Sequence, residues 1–396
     1  MKGSFTVGGA ELAAAVHYCA RWLVARPASP EQGGLLFEVT GDRLDISGFN
    51  ENVSARATLN IEGIGGDEGA FVVAGRLVDQ LAGTFGNKPV TFEARDSLIA
   101  VSSGRYHATM PTMSETDYPK RATEALRIGY VDGAALADAV HRVAPAARRN
   151  LESLIELNGV HIWLDDDAPP DTDEDGEPYM IALSATDRYQ VARQWIGWDP
   201  DADNAPLGEA LLVMAPTLLD AADAFDEAGE VAIGWDGRGS FSLTSATRSL
   251  VGRTLPDIEK FPARELAPMF DYERENSFTV SVKDLMVPLK RAELLGEKLD
   301  DTGSRAVDLI LSDGGQLTIA AGSDNGRGGE ELDVDYDGPA TTLRFKQSML
   351  RTTLGSAPGD AVTLVFTPDQ PRKGVLVSSP GDTSWQCLMV PLRPSK

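Results

Sequence analysis

Apolar residues recur along the chain in a pattern that comes round three times. The stretch 131–143, VDGAALADAVHRV, places Leu136 and Val140 four residues apart, the spacing that puts two side chains on one face of an α-helix. An earlier stretch, 11–20, ELAAAVHYCA, carries Leu12, Val16 and His17 in the register of Leu136, Val140 and His141. A third, 281–292, SVKDLMVPLKRA, sets Leu285, Leu289 and Lys290 at the same three positions. Three related amphipathic helices predict a domain used three times.

Between these helices the pattern shifts to the two-residue alternation of strands. In 35–49, Gly41-Asp42 lies between two alternating apolar runs and predicts a hairpin, followed by a strand over 53–61. Residues 71–85, FVVAGRLVDQLAGTF, pass into a second helix with Leu77 and Leu81 on one face, and strands at 90–93, 98–102 and 106–110 close the unit. The second pass predicts a helix from 132, strands at 159–164, 179–184 and 190–196, a helix at 216–225, then strands through 253. The third predicts a helix at 283–295, strands at 307–311 and 317–321, a helix at 346–354 and strands within 362–392.

The same interval separates Leu12 from Leu77 and Leu285 from Leu350, whereas Leu136 and Leu218 stand farther apart. The extra length comes from 165–177, DDDAPPDTDEDGE, an acidic, proline-bearing insertion that reads as an exposed loop. Polar stretches without periodicity place linkers near 119–126 and 263–274. The predicted fold class is α+β: three similar domains, over residues 1–122, 127–262 and 275–396, each with two helices and a large share of antiparallel strand.

A chain of 396 residues exceeds what one hydrophobic core supports, which suits three domains. With 42% apolar residues and no apolar run near the ~18 residues that cross a bilayer, no membrane partner is expected. The N-terminal MKGSFTVGG lacks the apolar core of a secretory signal, and Cys19 and Cys387 give no disulfide framework, so the cytoplasm is the expected compartment. A net charge of −24 argues against a nucleic-acid partner unless the basic residues are gathered on one surface.

Candidate catalytic chemistry is thin. Asp171, Asp173, Asp175 and Gly176 reproduce the opening of a calcium loop, but the twelfth position is Ala182 where a glutamate is required. His17, His107, His141 and His161 show neither HExxH spacing nor pairing with the cysteines, so no metal is expected. Phosphate-loop and nucleophile-elbow motifs are missing, and no cofactor or catalytic residue is assigned.

Basic residues say more. Arg21 and Arg26 accompany the first helix, Arg142, Arg148 and Arg149 the second repeat's, Lys283, Lys290 and Arg291 the third's, and Arg76, Lys346 and Arg351 the second helices. At ~100° per residue Arg21 falls opposite Leu12, so one helix face packs while the other is basic. Such a face fits plain solvation as well as DNA, and the stretch 216–228 dissents with Asp220, Asp223, Asp226, Glu227 and no basic residue.

Five local sequences carry a resemblance to a known family. They are MPTMSETDYP at 110–119, LESLIELNGVHI at 151–162, SATDRYQVA at 184–192, LPDIEKFP at 255–262 and LMVPLR at 388–393. In this order they resemble the bacterial sliding clamp, the beta subunit of DNA polymerase III, over the whole chain. The resemblance implies three copies of one domain per chain and a homodimeric ring, with helices lining the pore and strands outside. DNA would then meet only the inner surface, which reconciles an acidic exterior with threading on a duplex.

The family docks short peptides in a hydrophobic cleft between its second and third domains. By motif position that cleft implies Leu157, Thr186, Arg188, Tyr189, Gln190, Val191, Pro256, Phe261, Leu388, Val390, Pro391, Leu392 and Arg393. Arg188 and Tyr189 stand where members often have glycine and histidine, Gln190 replaces the usual arginine, and Pro394-Ser395-Lys396 extends the usual terminus, leaving the preferred peptide open. The ring interface implies Tyr106 and Ala108 on one side, Glu293 and Leu294 on the other. Arg26, in the Arg-Pro taken to end the first helix, best matches the family's pore contacts.

The implied function is a non-catalytic processivity factor that encircles double-stranded DNA and tethers the replicative DNA polymerase. Implied partners are a clamp loader and other proteins bearing the clamp-binding motif, in a cytoplasmic, nucleoid-associated setting. Two other classes stay open: a repeat-built hydrolase or metal-binding protein, which needs an active-site constellation, and a three-domain protein-binding scaffold that does not encircle DNA.

Overall fold

The computed structural model describes residues 3–393 except 96, 120–121, 150–153, 165–179, 202–209, 300–302, 324–325, 369 and 371–372. The acidic insertion 165–177, with its calcium-like opening, lies outside the described residues. Seven α-helices occur among them: α1 (Gly9–Ala20), α2 (Gly75–Ala82), α3 (Gly133–Val143), α4 (Ala215–Phe225), α5 (Ala263–Phe270), α6 (Val282–Leu295) and α7 (Gln347–Gly355). With antiparallel sheets making up most of the rest, the fold is α+β.

The chain divides into two compact units, residues 1–133 with 200–206 and 224–254, and residues 134–199 with 207–223 and 255–396. In the first, the five-stranded sheet ends on Tyr106–Pro111. Its larger sheet is continuous across a seam where Arg248–Arg253 pairs with Val53–Asn60, Leu250 opposite Ala55. In the second unit an eight-stranded sheet has the corresponding seam, Gln190–Gly197 against Asp382–Met389. A four-stranded sheet beside it ends on Gly326–Asp333.

The repeated apolar pairs are core. Leu12 and Val16 of α1, Leu136 and Val140 of α3, and Leu285 and Leu289 of α6 are all buried. The hairpin at Gly41 also forms: Thr40 pairs with Arg43, and Gly41 takes a positive φ of 56°, which glycine adopts without steric cost.

Three expectations need correction. Leu77 is 50% exposed, because α2 starts at Gly75 and buries Val78 and Ala82, a stripe about 100° away around the helix. The stretch 263–274, expected as an aperiodic linker, contains α5, whose Leu266, Met269 and Phe270 at i, i+3 and i+4 share one face. Arg26 does not end the first helix: α1 stops at Ala20, and Arg26 lies in the turn that follows.

Candidate functional site

Sheet register brings together residues from distant parts of the chain. In the second unit's seam Gln190 pairs with Met389, Val191 with Leu388 and Arg193 with Gln386. Side chains alternate across a strand, so Val191, Arg193, Leu388 and Gln386 share one sheet face. Beyond the strand end, the Val390 amide donates to the Tyr189 carbonyl at 2.8 Å and the Leu392 amide to the Arg344 carbonyl at 2.7 Å, which carries the C-terminal stretch on from the seam.

The turn leading into Gln190 is built by its own side chains. Thr186 Oγ1 donates to the Gln190 carbonyl at 2.7 Å and accepts from the Arg188 amide at 3.0 Å. Asp187 Oδ1 accepts from the amides of Tyr189 and Gln190 at 2.9 and 3.0 Å. Burial raises the Asp187 carboxyl above its ordinary range, opposed by those amides. Arg188 sits at φ 82°, in the left-handed region, where a side chain is strained and glycine is not. Tyr189 projects outward, 63% exposed.

The other residues expected in the cleft divide by exposure. Leu157 and Phe261 are buried, Val390, Pro391 and Leu392 half-buried, Pro256 and Arg393 exposed. Phe261 lies flat on the His161 ring, 4.7 Å between centroids and 2° between planes, with Trp163 4.9 Å from the same imidazole. Burial pushes the His161 imidazole down to about 4, which leaves it neutral at pH 7.

A cavity of 370 Å³ opens beside these rings, lined by His161, Trp163, Val191, Arg193, Leu266 and Phe270 among others. The Arg193 guanidinium lies 3.7 Å from the Phe270 ring centre and 4.5 Å from that of Trp195, while its Nε and Nη2 donate to Gln386 Oε1 at 3.0 and 2.7 Å. Sequence reasoning found Val191 but missed the other five. The signal was present in the alternation of His161 with Trp163 and of Val191 with Arg193, two strands presenting one face.

Residues expected on a DNA-facing surface are mostly exposed but embedded in mixed charge. Arg21 follows α1, and Arg76, Lys283, Lys290 and Arg291 are exposed on their helices. Arg142 is half-buried and donates to Asp138 at 3.1 Å, Arg351 to Glu293 at 3.1 Å, and Arg291 pairs with Glu330. Lys346 immediately precedes α7, while Arg148 and Arg149 follow the one-turn 3-10 segment after α3. Carboxylates join them: His17 meets Asp79 at 3.3 Å between α1 and α2, and His141 meets Asp223 at 2.8 Å between α3 and α4. The exposed side of α4 carries Asp220 and Asp223.

The expected interface residues lie near strand edges. Tyr106 and Ala108 belong to the terminal strand of the five-stranded sheet, with Tyr106 edge-on to Phe85 at 5.7 Å. Leu294, on α6, is 78% exposed. Its neighbour Leu295 lies over the other sheet's terminal strand, where a Cβ on Gly328 would come within 2.9 Å of the leucine. That strand, Gly326–Asp333, was not expected from sequence.

No helix among the described residues is long and apolar enough to cross a membrane. Cys19 and Cys387 are free and buried, each thiol pushed up to about 12 by burial.

Residues 3–122 match the family model described as DNA polymerase III beta subunit, N-terminal domain. The chain is 28% identical to the beta sliding clamp homolog GriR of Streptomyces muensis, over 98% of this chain and 99% of that one. It is also 28% identical to the beta sliding clamp of Streptomyces coelicolor, covering 96% and 97%. Among solved structures, a sliding clamp from Pseudomonas aeruginosa bound to griselimycin superposes with a TM-score of 0.86 at 18% identity over all of both chains. The beta subunit from Thermotoga maritima does so at 0.82 and 19%, over 99% of this chain and 100% of that one.

Proposed function

We propose that this chain, which belongs to the DNA polymerase III beta subunit family, acts as a sliding clamp that encircles double-stranded DNA and tethers the replicative polymerase through the cleft at Val191 and Leu388. The observation that carries the proposal is that the likeness to beta clamps runs from one end of the chain to the other. The role is non-catalytic. A closed ring holds DNA by topology, so pore contacts need only be loose, which suits the mixed charge beside Arg142, Arg291 and Arg351. The tether raises the polymerase's effective concentration at the primer end, so a weak peptide contact suffices.

In this reading the domains are residues 1–122, 127–262 and 275–396. The helix-borne cations Arg21, Arg76, Lys283 and Lys290, with Arg26, Arg148, Arg149 and Lys346 nearby, face the duplex. The ring closes as a homodimer through the free edge at Tyr106–Pro111 in one copy and the region of Glu293 and Leu294 in the other, with the terminal strand Gly326–Asp333 added to that surface. Pairing two such edges removes both from solvent. A loader opens the ring, other proteins bearing the binding motif share the cleft, and the protein works in the cytoplasm at the nucleoid.

The test is to load the protein on nicked circular DNA with a clamp loader and then linearise the circle. A clamp runs off the free ends. Retention on linear DNA without blocked ends sinks the topological mechanism, and failure to load alongside intact peptide binding favours the scaffold reading.

A further inference from the structure

We infer that α5 is a strap laid across the peptide cleft and that its Phe270 holds the seat an incoming apolar side chain must take, an inference that rests on the cleft reading above. Val191 and Leu388, both assigned to the cleft, form one buried cluster with Phe270, and Leu266, Met269 and Leu376 pack around it. Val191 is only 5% exposed and Leu388 only 1%. The chain's own helix therefore covers the surface on which a partner would dock.

The strap is held locally. α5 has eight residues, and Pro268 inside it removes one backbone donor, so the helix has little stability of its own. Its Arg264, Glu265, Ala267 and Pro268 are exposed, and only one face grips the sheet. Arg193 stacks on Phe270 from the sheet side. Just past the helix, the Arg274 guanidinium donates to the carbonyls of Met269 at 2.8 Å, Phe270 at 3.2 Å and Tyr272 at 2.8 Å, and also to those of Lys373 at 2.7 Å and Gly374 at 3.3 Å. One guanidinium thus staples the end of the strap to the segment that enters strand Val375–Ser379. Phe270 in its seat and Arg274 on its carbonyls are the two holds; Phe270 also lines the cavity, whereas Arg274 acts only on the backbone of the strap's end.

A ligand that binds only the open form has its apparent affinity reduced by the fraction of molecules that are open. Loosening either hold raises that fraction, and loosening Arg274 does so without altering the cavity lining. The direction is opposite to that expected if α5 were simply a wall of the cleft, since removing a wall weakens binding.

The experiment uses the full-length protein and a fluorescein-labelled peptide from the clamp-contact segment of the cognate replicative polymerase. Phe270→Ala and Arg274→Ala are compared with the unaltered chain by fluorescence anisotropy. Tightening of at least about threefold in either variant supports the strap. Unchanged or weaker binding in both overturns it and makes α5 part of the cleft wall. On the unaltered protein, which no mutation can unfold, peptide addition should speed amide hydrogen exchange over residues 264–270; unchanged or slower exchange overturns the strap. If none of the three proteins binds the peptide, the cleft assignment falls and the strap with it, a result recognisable because there is no affinity to compare.

Discussion

Val191 and Leu388 stand directly opposite each other on adjacent antiparallel strands, although nearly half the chain separates them in sequence. Because the pleat alternates side chains, this register puts both apolar groups on the face that carries Arg193, and the residues beyond Leu388 continue from it.

Deleting residues 390–396 is therefore expected to abolish polymerase-peptide binding while the protein stays dimeric. The deletion removes half-buried Val390, Pro391 and Leu392 and the hydrogen bonds that the Val390 and Leu392 amides donate to the Tyr189 and Arg344 carbonyls, but leaves the strand pair intact. Anisotropy titration and light scattering check the two halves. Unchanged peptide affinity shows that the cleft has been misplaced.

Arg188→Gly is expected to stabilise the second unit by about 1 kcal/mol, since φ 82° strains an arginine and suits glycine even after glycine's larger unfolded-state entropy is counted. Urea unfolding midpoints measure it. A midpoint at or below that of the unaltered protein contradicts this reading of the turn.

Stability should fall as pH is lowered from about 6.5 to about 4. The His161 imidazole is pushed down to about 4 by burial, against 6.5 when free. Between those values the unfolded chain binds a proton that the native one does not, so acid favours unfolding, by up to about 3 kcal/mol once pH has passed through the window. His161→Phe keeps a ring over Phe261 and removes the titration. Comparing urea stability at pH 7 and 4.5, the variant should lose less than the parent; equal losses exclude His161 as the cause.

Leu285→Ala should cost about 2–5 kcal/mol, whereas Leu77→Glu should lie within about 0.5 kcal/mol of the parent, because Leu285 is fully buried and Leu77 half exposed. A large loss from Leu77→Glu would mean that α2 packs in the phase the interval from Leu12 suggests rather than the phase that buries Val78. Thermal or urea denaturation of both variants decides.

Leu294→Asp is expected to shift the protein from dimer to monomer in analytical ultracentrifugation at micromolar concentration. A 78% exposed leucine, next in the chain to the Leu295 that packs on the terminal strand Gly326–Asp333, suits a covered interface, and a carboxylate there is costly to bury. An unchanged sedimentation coefficient moves the interface elsewhere.

Local chemistry carried much of this protein in plain sight. The three amphipathic helices, the hairpin at Gly41 and the α+β class follow from spacing and turn residues, which act between neighbours in the chain and so can be read one segment at a time. Short motifs such as SATDRYQVA and LMVPLR pointed to Val191 and Leu388 one by one. The tertiary structure decided what those positions face. α5 reads as a linker in isolation because its grip needs a sheet to press Leu266, Met269 and Phe270 against. The strand Gly326–Asp333, GRGGEELD, has too many glycines and charges to look like a strand, and it forms because Gln316–Ser323 supplies the hydrogen-bonding partner. The phase of α2, the burial of His161 under Phe261 and the stacking of Arg193 on Phe270 likewise depend on contacts between distant segments, whose energies no local pattern encodes.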